Sequence, residues 1–261
     1  HHWDTDGVCS AALLMQNLGK KMENITPTIG NYFLTEGEIN LCRNFEKVYI
    51  VDMALPESDV IKLSSFSDVT IFDHHLQKLI EGVNHINPVA KGESQEKYPS
   101  ATWVLKKHFG MDVNLLVILG IVGDNEYKIK ENRTFFEIVK SFCERYSTSL
   151  DQLVKAVHLI DSNYKLGDKK SVEGIPHIIG EMSIKDILEH ERWNKNLETL
   201  EEEIKEALGK SRSLDKNVEM IDMESPHNII SEVTRKLAWG TGKNAVVVNR
   251  GYFPDKSQIY V

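Results

Sequence analysis

Two short runs rich in β-branched and aromatic residues, Lys47–Val51 (Lys-Val-Tyr-Ile-Val) and Val69–Phe72 (Val-Thr-Ile-Phe), each stop at an aspartate, Asp52 and Asp73. Continuous apolar strands of this kind are buried on both faces, which is the condition of a parallel sheet. The stretch between them, Glu57 to Phe66, reads as a helix behind Pro56, a favoured first-turn residue. Strand, helix and strand in that order predict an α/β domain. Its ligands would collect at the carboxyl ends of the strands, where both aspartates lie.

Other elements follow from periodicity. Gly7 to Leu18 reads as a helix, with Ala11, Leu14, Met15 and Leu18 on one stripe, and a strand is expected near Thr28 to Phe33. After Pro99 helices dominate: Ser100–Phe109, Leu115–Gly123, Thr134–Tyr146 and Leu150–Ile160. Ser183 to Leu208 reads as one long charged helix whose stripe of Trp193, Leu197, Leu200, Ile204 and Leu208 suits a connector. Strands near Val218–Asp222 and Asn244–Asn249, a helix from about His227 to Trp239 and a last strand from Gln258 make a small α/β segment. The expected division is residues 1–182, a connector over 183–210, and a partial domain over 211–261.

Four separated pieces carry the chemistry: His2-Trp3-Asp4-Thr5-Asp6-Gly7, Asp52, Asp73-His74-His75, and Gly123-Asp124-Asn125. Each alone is commonplace. Asp-x-Asp-Gly occurs in turns, and a strand-end Asp often caps a helix. Together, carboxylates and imidazoles suit manganese, magnesium or zinc, whereas calcium favours oxygen ligands alone. Two carboxylates two residues apart can face neighbouring ions and one strand-end carboxylate can bridge them, the layout of two-metal phosphoryl chemistry.

The net charge of −8 opposes coating of nucleic acid by bulk electrostatics, but two divalent cations would make the same acidic pocket attractive to a phosphodiester. No apolar run is long enough for a bilayer, and the first residues have no leader pattern, so a cytoplasmic protein without membrane association is expected. Cys9, Cys42 and Cys143 lack metal or disulfide spacing and read as free thiols. Trp103, His85 and His158 read as structural, Lys106-Lys107-His108 as a solvated face, and Trp239 stays open between packing and base stacking.

In these motifs the chain resembles the DHH phosphoesterase superfamily, whose tripeptide is Asp73-His74-His75 here. His2 to Gly7 is similar to the first family motif, Asp52 to the second and Gly123-Asp124 to the fourth; Asn87-Pro88 and Ser100-Ala101-Thr102 match the stretch after the third. The His-x-Asp-x-Asp-Gly form most resembles archaeal RecJ-like exonucleases. The resemblance implies two divalent ions, Mn2+ first and Mg2+ second. His2, Asp4 and Asp52 would hold one, and Asp6, Asp52, His74 and Asp124 the other. It also implies that Asp52, Asp73 and His75 form the catalytic set. His75 would contact the phosphate and Asp73 would orient an imidazole.

The implied activity is exonucleolytic hydrolysis of single-stranded DNA or RNA, 5′ to 3′, by metal-activated water, in DNA repair, with a replication or repair helicase as a possible partner. Two alternatives stand beside it: a DHH phosphodiesterase for short oligonucleotides or cyclic dinucleotides, and a DHH-derived replication scaffold that does not cut. Residues 211–261 would begin a DHHA1 domain. A strand before His2 and a Gly-Gly-His motif after Val261 are expected of a longer natural chain.

Overall fold

The β-branched runs form the strands their composition demands. The structure, a computed structural model, describes residues 1–20 and 22–261. Strand β1 (Lys47–Val51) pairs in parallel with β2 (Asp68–Phe72), Lys47 opposite Asp68 and Val51 opposite Phe72. β3 (Asn84–Ile86) extends the sheet beyond β2, again in parallel. The ladder continues one residue past the strands: the Asp52 amide donates to the Phe72 carbonyl at 2.9 Å and that of Asp73 to Ile86 at 3.1 Å. Asp52, Asp73 and Asn87 therefore stand in a row at one carboxyl edge. The α/β class and its parallel sheet are as expected.

The helices are α1 (Thr5–Leu18), α2 (Glu36–Cys42), α3 (Glu57–Ser64), α4 (Ala101–Phe109), α5 (Leu115–Asn125), α6 (Arg133–Tyr146), α7 (Leu150–Lys165), α8 (Lys169–Gly174), α9 (Pro176–Ile179), α10 (Ile184–Leu188), α11 (Glu191–Leu208) and α12 (Ile230–Thr241). They fall into two units, residues 1–161 with 169–189, and residues 162–168 with 190–261. In the first unit α1 packs on α4, α5 and β1. Helix α5 is apolar all round and buried from Leu116 to Val122, as a helix through the middle of a core must be. Each such Leu, Ile or Val contributes roughly 1.5–3 kcal/mol by leaving water. That burial holds both acidic ends, Asp4-Thr5-Asp6 and Asp124, against the sheet edge.

The second unit has a four-stranded sheet in the order β4 (Arg212–Asp215), β5 (Val218–Met223), β6 (Asn244–Asn249) and β7 (Gln258–Tyr260). β5 and β6 are parallel, joined by α12, and both outer pairings are antiparallel. Leu200, Ile204 and Ala207 of α11 share a core with Ile221, Val233, Leu237 and Val247. Among the described residues no helix is long and apolar enough to cross a membrane.

Two expected elements differ. Thr28–Phe33 is a turn, because Gly30 takes a left-handed φ of 89° and the Asn31 amide closes on the Thr28 carbonyl at 2.8 Å. Ser183–Leu208 is two helices. Ser183 caps α10 through a capping box with Asp186, and His190 is extended, its ring accepting from the Trp193 amide to start α11 anew. Leu200, Ile204 and Leu208 of the stripe then pack into the second unit's own core, and that unit takes residues 162–168 as well as 190–261.

An ion pair inside the second unit gives this fold a pH signature. Lys165 meets Glu232 at 2.7 Å with both side chains largely buried, and Lys236 adds a contact at 2.8 Å. Burial alone would raise the Glu232 carboxyl, but the Lys165 and Lys236 ammonium groups hold it down to about 2. A carboxylate depressed in the folded state stabilises above its unfolded value, and that stability is lost as pH falls towards the folded value. Thermal melts should therefore show Glu232→Gln less stable by roughly 3 kcal/mol at neutral pH, since Lys165 is left buried and unpaired. The gap should close between 4.5 and about 2.

Candidate metal centre

Each acidic group arrives by a different local device. Asp4 is the N-cap of α1, its side chain accepting from the Gly7 amide at 3.1 Å, the reach of a good capping residue. Asp6, in the first turn, is fully buried and accepts from the Ala101 amide at 2.6 Å and the Thr102 amide at 3.1 Å, at the start of α4. A helix start offers unpaired amides, and a carboxylate is their natural acceptor. Asp52 takes a φ of 57° just past β1, in the left-handed region that aspartate tolerates better than most residues. Asp124 projects from the last turn of α5.

These side chains converge. His74 Nε2 lies 3.1 Å from Asp124, 3.3 Å from Asp52 and 3.9 Å from Asp6. His2 Nδ1 lies 2.7 Å from Asp4 and 3.6 Å from Asp52. Asp6, Asp52, His74 and Asp124 form one group able to hold a cation, and His2, Asp4 and Asp52 another, the donor atoms of each within 4.8 Å of one another. Asp52 is common to both. Its Oδ1, like His2 Nδ1, is buried without an oriented hydrogen-bond partner among the described residues. Close contact without hydrogen-bond geometry is how ligand atoms turned towards a common cation are arranged, so this donor set fits two divalent ions.

The electrostatics point the same way. Burial, then Asp6 and Asp4, push the Asp52 carboxyl well above the carboxylate range. Burial and Asp6 raise Asp124 to about 7. Burial also raises Asp6. Asp4 differs: burial opposes its charge, but His2 and the Gly7 amide bring it down to about 2. Burial works against a charged His74, yet Asp124 and Asp52 outweigh it and set the ring well above its usual value. The cluster gathers protons because its carboxylates are buried and, next, because they repel one another, and cations would relieve that repulsion.

Asp73 stands behind the cluster. It is fully buried and accepts from the His74 amide at 2.8 Å, from His75 Nδ1 at 2.7 Å and from Gln77 Nε2. Burial opposes the charged form of His75, but its bond to Asp73 prevails and raises the ring. Asn87 donates to the His75 carbonyl at 2.9 Å, and the Tyr98 carbonyl lies 3.2 Å from His74 Nδ1. Asp161 accepts from the Thr5 amide at 2.9 Å and its hydroxyl at 2.6 Å, fixing the turn between Asp4 and Asp6.

All eight sequence candidates thus meet: His2, Asp4, Asp6, Asp52, Asp73, His74, His75 and Asp124. Gln77, Tyr98 and Asp161 carry no motif that would single them out. Outside the cluster, His85 is buried and accepts from the Ile80 amide, and His158 pairs with Glu126 at 3.3 Å. Trp103 packs edge-on against Phe135 at 4.9 Å, whereas Trp239 is exposed.

Residues 1–113 match the profile of the DHH family, N-terminal domain, an interval holding every candidate except Asp124. No curated protein sequence matches the chain significantly. Among solved structures, that of the exonuclease RecJ bound to manganese is similar, with a TM-score of 0.66 and 17% identity over 95% of this chain and 74% of that one. RecJ from Thermus thermophilus in complex with Mn2+ gives 0.63 and 17% over 96% of this chain and 43% of that one. The DHH domain of a member of the s1p family of ribosomal proteins gives 0.64 and 16%, over 99% and 72%. At these identities the likeness is one of fold.

The tightest packing at the centre lies at Gly120, where an added Cβ would collide with the Asp6 carboxylate and the Thr102 hydroxyl. Gly120→Ala should lower the unfolding free energy by about 1–3 kcal/mol, the usual cost of overpacking. It should also weaken manganese binding by displacing Asp6. Chemical denaturation and a metal titration check both, and an unchanged metal affinity would count against Asp6 as a ligand.

Proposed function

We propose that this chain, a DHH-superfamily phosphoesterase and so a metal-dependent hydrolase by its N-terminal domain, is an exonuclease that removes nucleotides from single-stranded DNA or RNA, beginning at the 5′ end. The observation that carries the reading is the sharing of Asp52 between two cation-holding groups. His2, Asp4 and Asp52 would hold one divalent ion, and Asp6, Asp52, His74 and Asp124 the other, with Mn2+ as the first choice. Bound there, the ions would supply the Lewis acidity that polarises a phosphoester and activates water.

The chain's own groups prepare that chemistry. With Nδ1 of His74 turned to the Tyr98 carbonyl, its proton belongs there and Nε2 is left facing Asp52 and Asp124. Asp73 fixes the His75 ring through Nδ1, and Asn87 holds its backbone, so Nε2 is the atom offered to a phosphate oxygen. No side chain has to act as nucleophile. The single-strand substrate and its polarity extend the RecJ-like fold, and a repair role in the cytoplasm beside a helicase belongs to the same reading.

Strands of DNA and RNA labelled at either end, incubated with manganese beside a cyclic dinucleotide, should lose mononucleotides from the 5′ end. Hydrolysis of the cyclic dinucleotide alone would replace this reading with a small-substrate phosphodiesterase. No hydrolysis at saturating metal would make the chain a scaffold.

Asp52→Asn keeps the left-handed backbone within reach and removes the shared charge. Manganese-dependent turnover should fall by roughly 100-fold or more. Thermal stability without metal should hold or rise, since mutual repulsion is relieved. Activity measured beside an apo melting curve separates loss of the centre from loss of the fold.

A further inference from the structure

Directly after Asp124 and Asn125 the backbone enters a conformation that a glutamate resists. Glu126 takes a φ of 43° and a ψ of −128°, the corner of a type II′ turn that glycine, asparagine and aspartate normally occupy. Such a conformation persists only where neighbouring contacts fix it. Here they act on three consecutive residues. The Asn125 side chain donates to the Ile121 carbonyl at 2.8 Å and to the Pro99 carbonyl at 3.2 Å. The Glu126 amide donates to the Val122 carbonyl, and its carboxylate accepts from His158 Nε2 at 3.3 Å. The Tyr127 hydroxyl donates to Asp151 Oδ1 at 3.0 Å.

Asp151 and His158 both belong to α7, as does Asp161, which holds Thr5 between Asp4 and Asp6. Positions 151, 158 and 161 share one face of that helix. A single face therefore grips the chain at two places, where Asp6 enters the centre and just after Asp124 leaves it. Gly123 lets these two stretches close on each other, for an added Cβ there would stand 3.2 Å from the Thr5 Cβ. The His158 and Glu126 side chains are 33% and 30% exposed, a setting in which an ion pair adds little stability. Their contact decides where the chain runs more than how firmly it folds.

We infer that His158 is a positioning residue for the candidate centre: by holding Glu126 it aims the Asp124 carboxylate at His74, and so sets how tightly the group of Asp6, Asp52, His74 and Asp124 holds its ion. Asp124 stands 3.1 Å from His74 Nε2, a placement that a shift of the following residues would spoil. This rests on the two-ion reading and extends it to a side chain that touches neither ion. The group of His2, Asp4 and Asp52 contains no residue that His158 steers, so the two groups should answer differently to one substitution. Side chains that orient metal ligands typically change affinity by about 10- to 100-fold when removed. His158 acts through the chain rather than on the ligand itself, which places its effect at the lower end of that range.

Calorimetric titration of the whole chain with manganese, beside a melting curve without metal, tests this. Wild type should take up two ions. His158→Ala should weaken one of them about tenfold, leaving the other ion and the metal-free melting temperature unchanged. His158→Gln, which keeps an N–H donor at similar reach, should bind both ions as wild type does. In Glu126→Gly the carboxylate is gone and the backbone needs no holding, so adding His158→Ala to it should change nothing further. Undiminished affinity in His158→Ala, an equal loss in His158→Gln, or a further loss in the double variant would overturn the inference. So would a loss shared by both ions together with a lower melting temperature, which would make His158 a support for the fold. Uptake of fewer than two ions by the wild type would overturn the two-ion reading itself, a failure separate from the others.

Discussion

A carboxylate buried far from water is costly unless the protein replaces the hydration it loses. Asp6 meets that requirement with two backbone amides at the start of α4, under the face of α5 that Gly120 leaves bare. One side chain therefore sets the distance between the starts of two helices and the depth of a third. The other acidic groups inherit their positions from this arrangement. Asp4 lies two residues before Asp6, as the N-cap of α1, and Asp124 sits one turn further along α5 than Gly120.

The sheet contributes the opposing wall. Parallel pairing with a common register makes strand ends coincide, so Asp52, Asp73 and Asn87 face the helix starts as a row, each with a separate task. Asp52 enters the cluster, Asp73 holds the imidazole that follows it, and Asn87 secures the backbone of that imidazole's residue. The repulsion this creates is contained by geometry: amides meet Asp4, Asp6 and Asp73, whereas the buried Asp52 Oδ1 is left without one. The centre is thus left incomplete at the residue common to both groups.

Much of this was legible in the sequence because its causes are local. β-branched runs ending in Asp, an acidic turn before a helix and a wholly apolar helix ending in Gly-Asp each announce themselves within a few residues. What could not be read depends on contacts distant along the chain. Asp161 reaches Thr5 across 156 positions, and the Tyr98 carbonyl serves His74 across 24. The misread strand has a different origin. Tyr32 and Phe33 have high strand propensity, but propensity measures fit to a half-buried sheet, and among the described residues no strand pairs with them. Likewise His190 is not among the usual capping residues, so the break before α11 had no sequence marker.

The left-handed backbone at Asp52 has a consequence for how such a site can change over time. Glycine, asparagine and aspartate are the residues that enter this region readily. Of these, only aspartate brings a negative charge. Most single replacements at the position therefore meet two separate penalties, one for the chain trace and one for the cluster, and the few that escape the first lose the charge outright. Drift has no gradual route through position 52, so a lineage that abandons the chemistry is expected to record the event there as Asn or Gly while the surrounding fold persists.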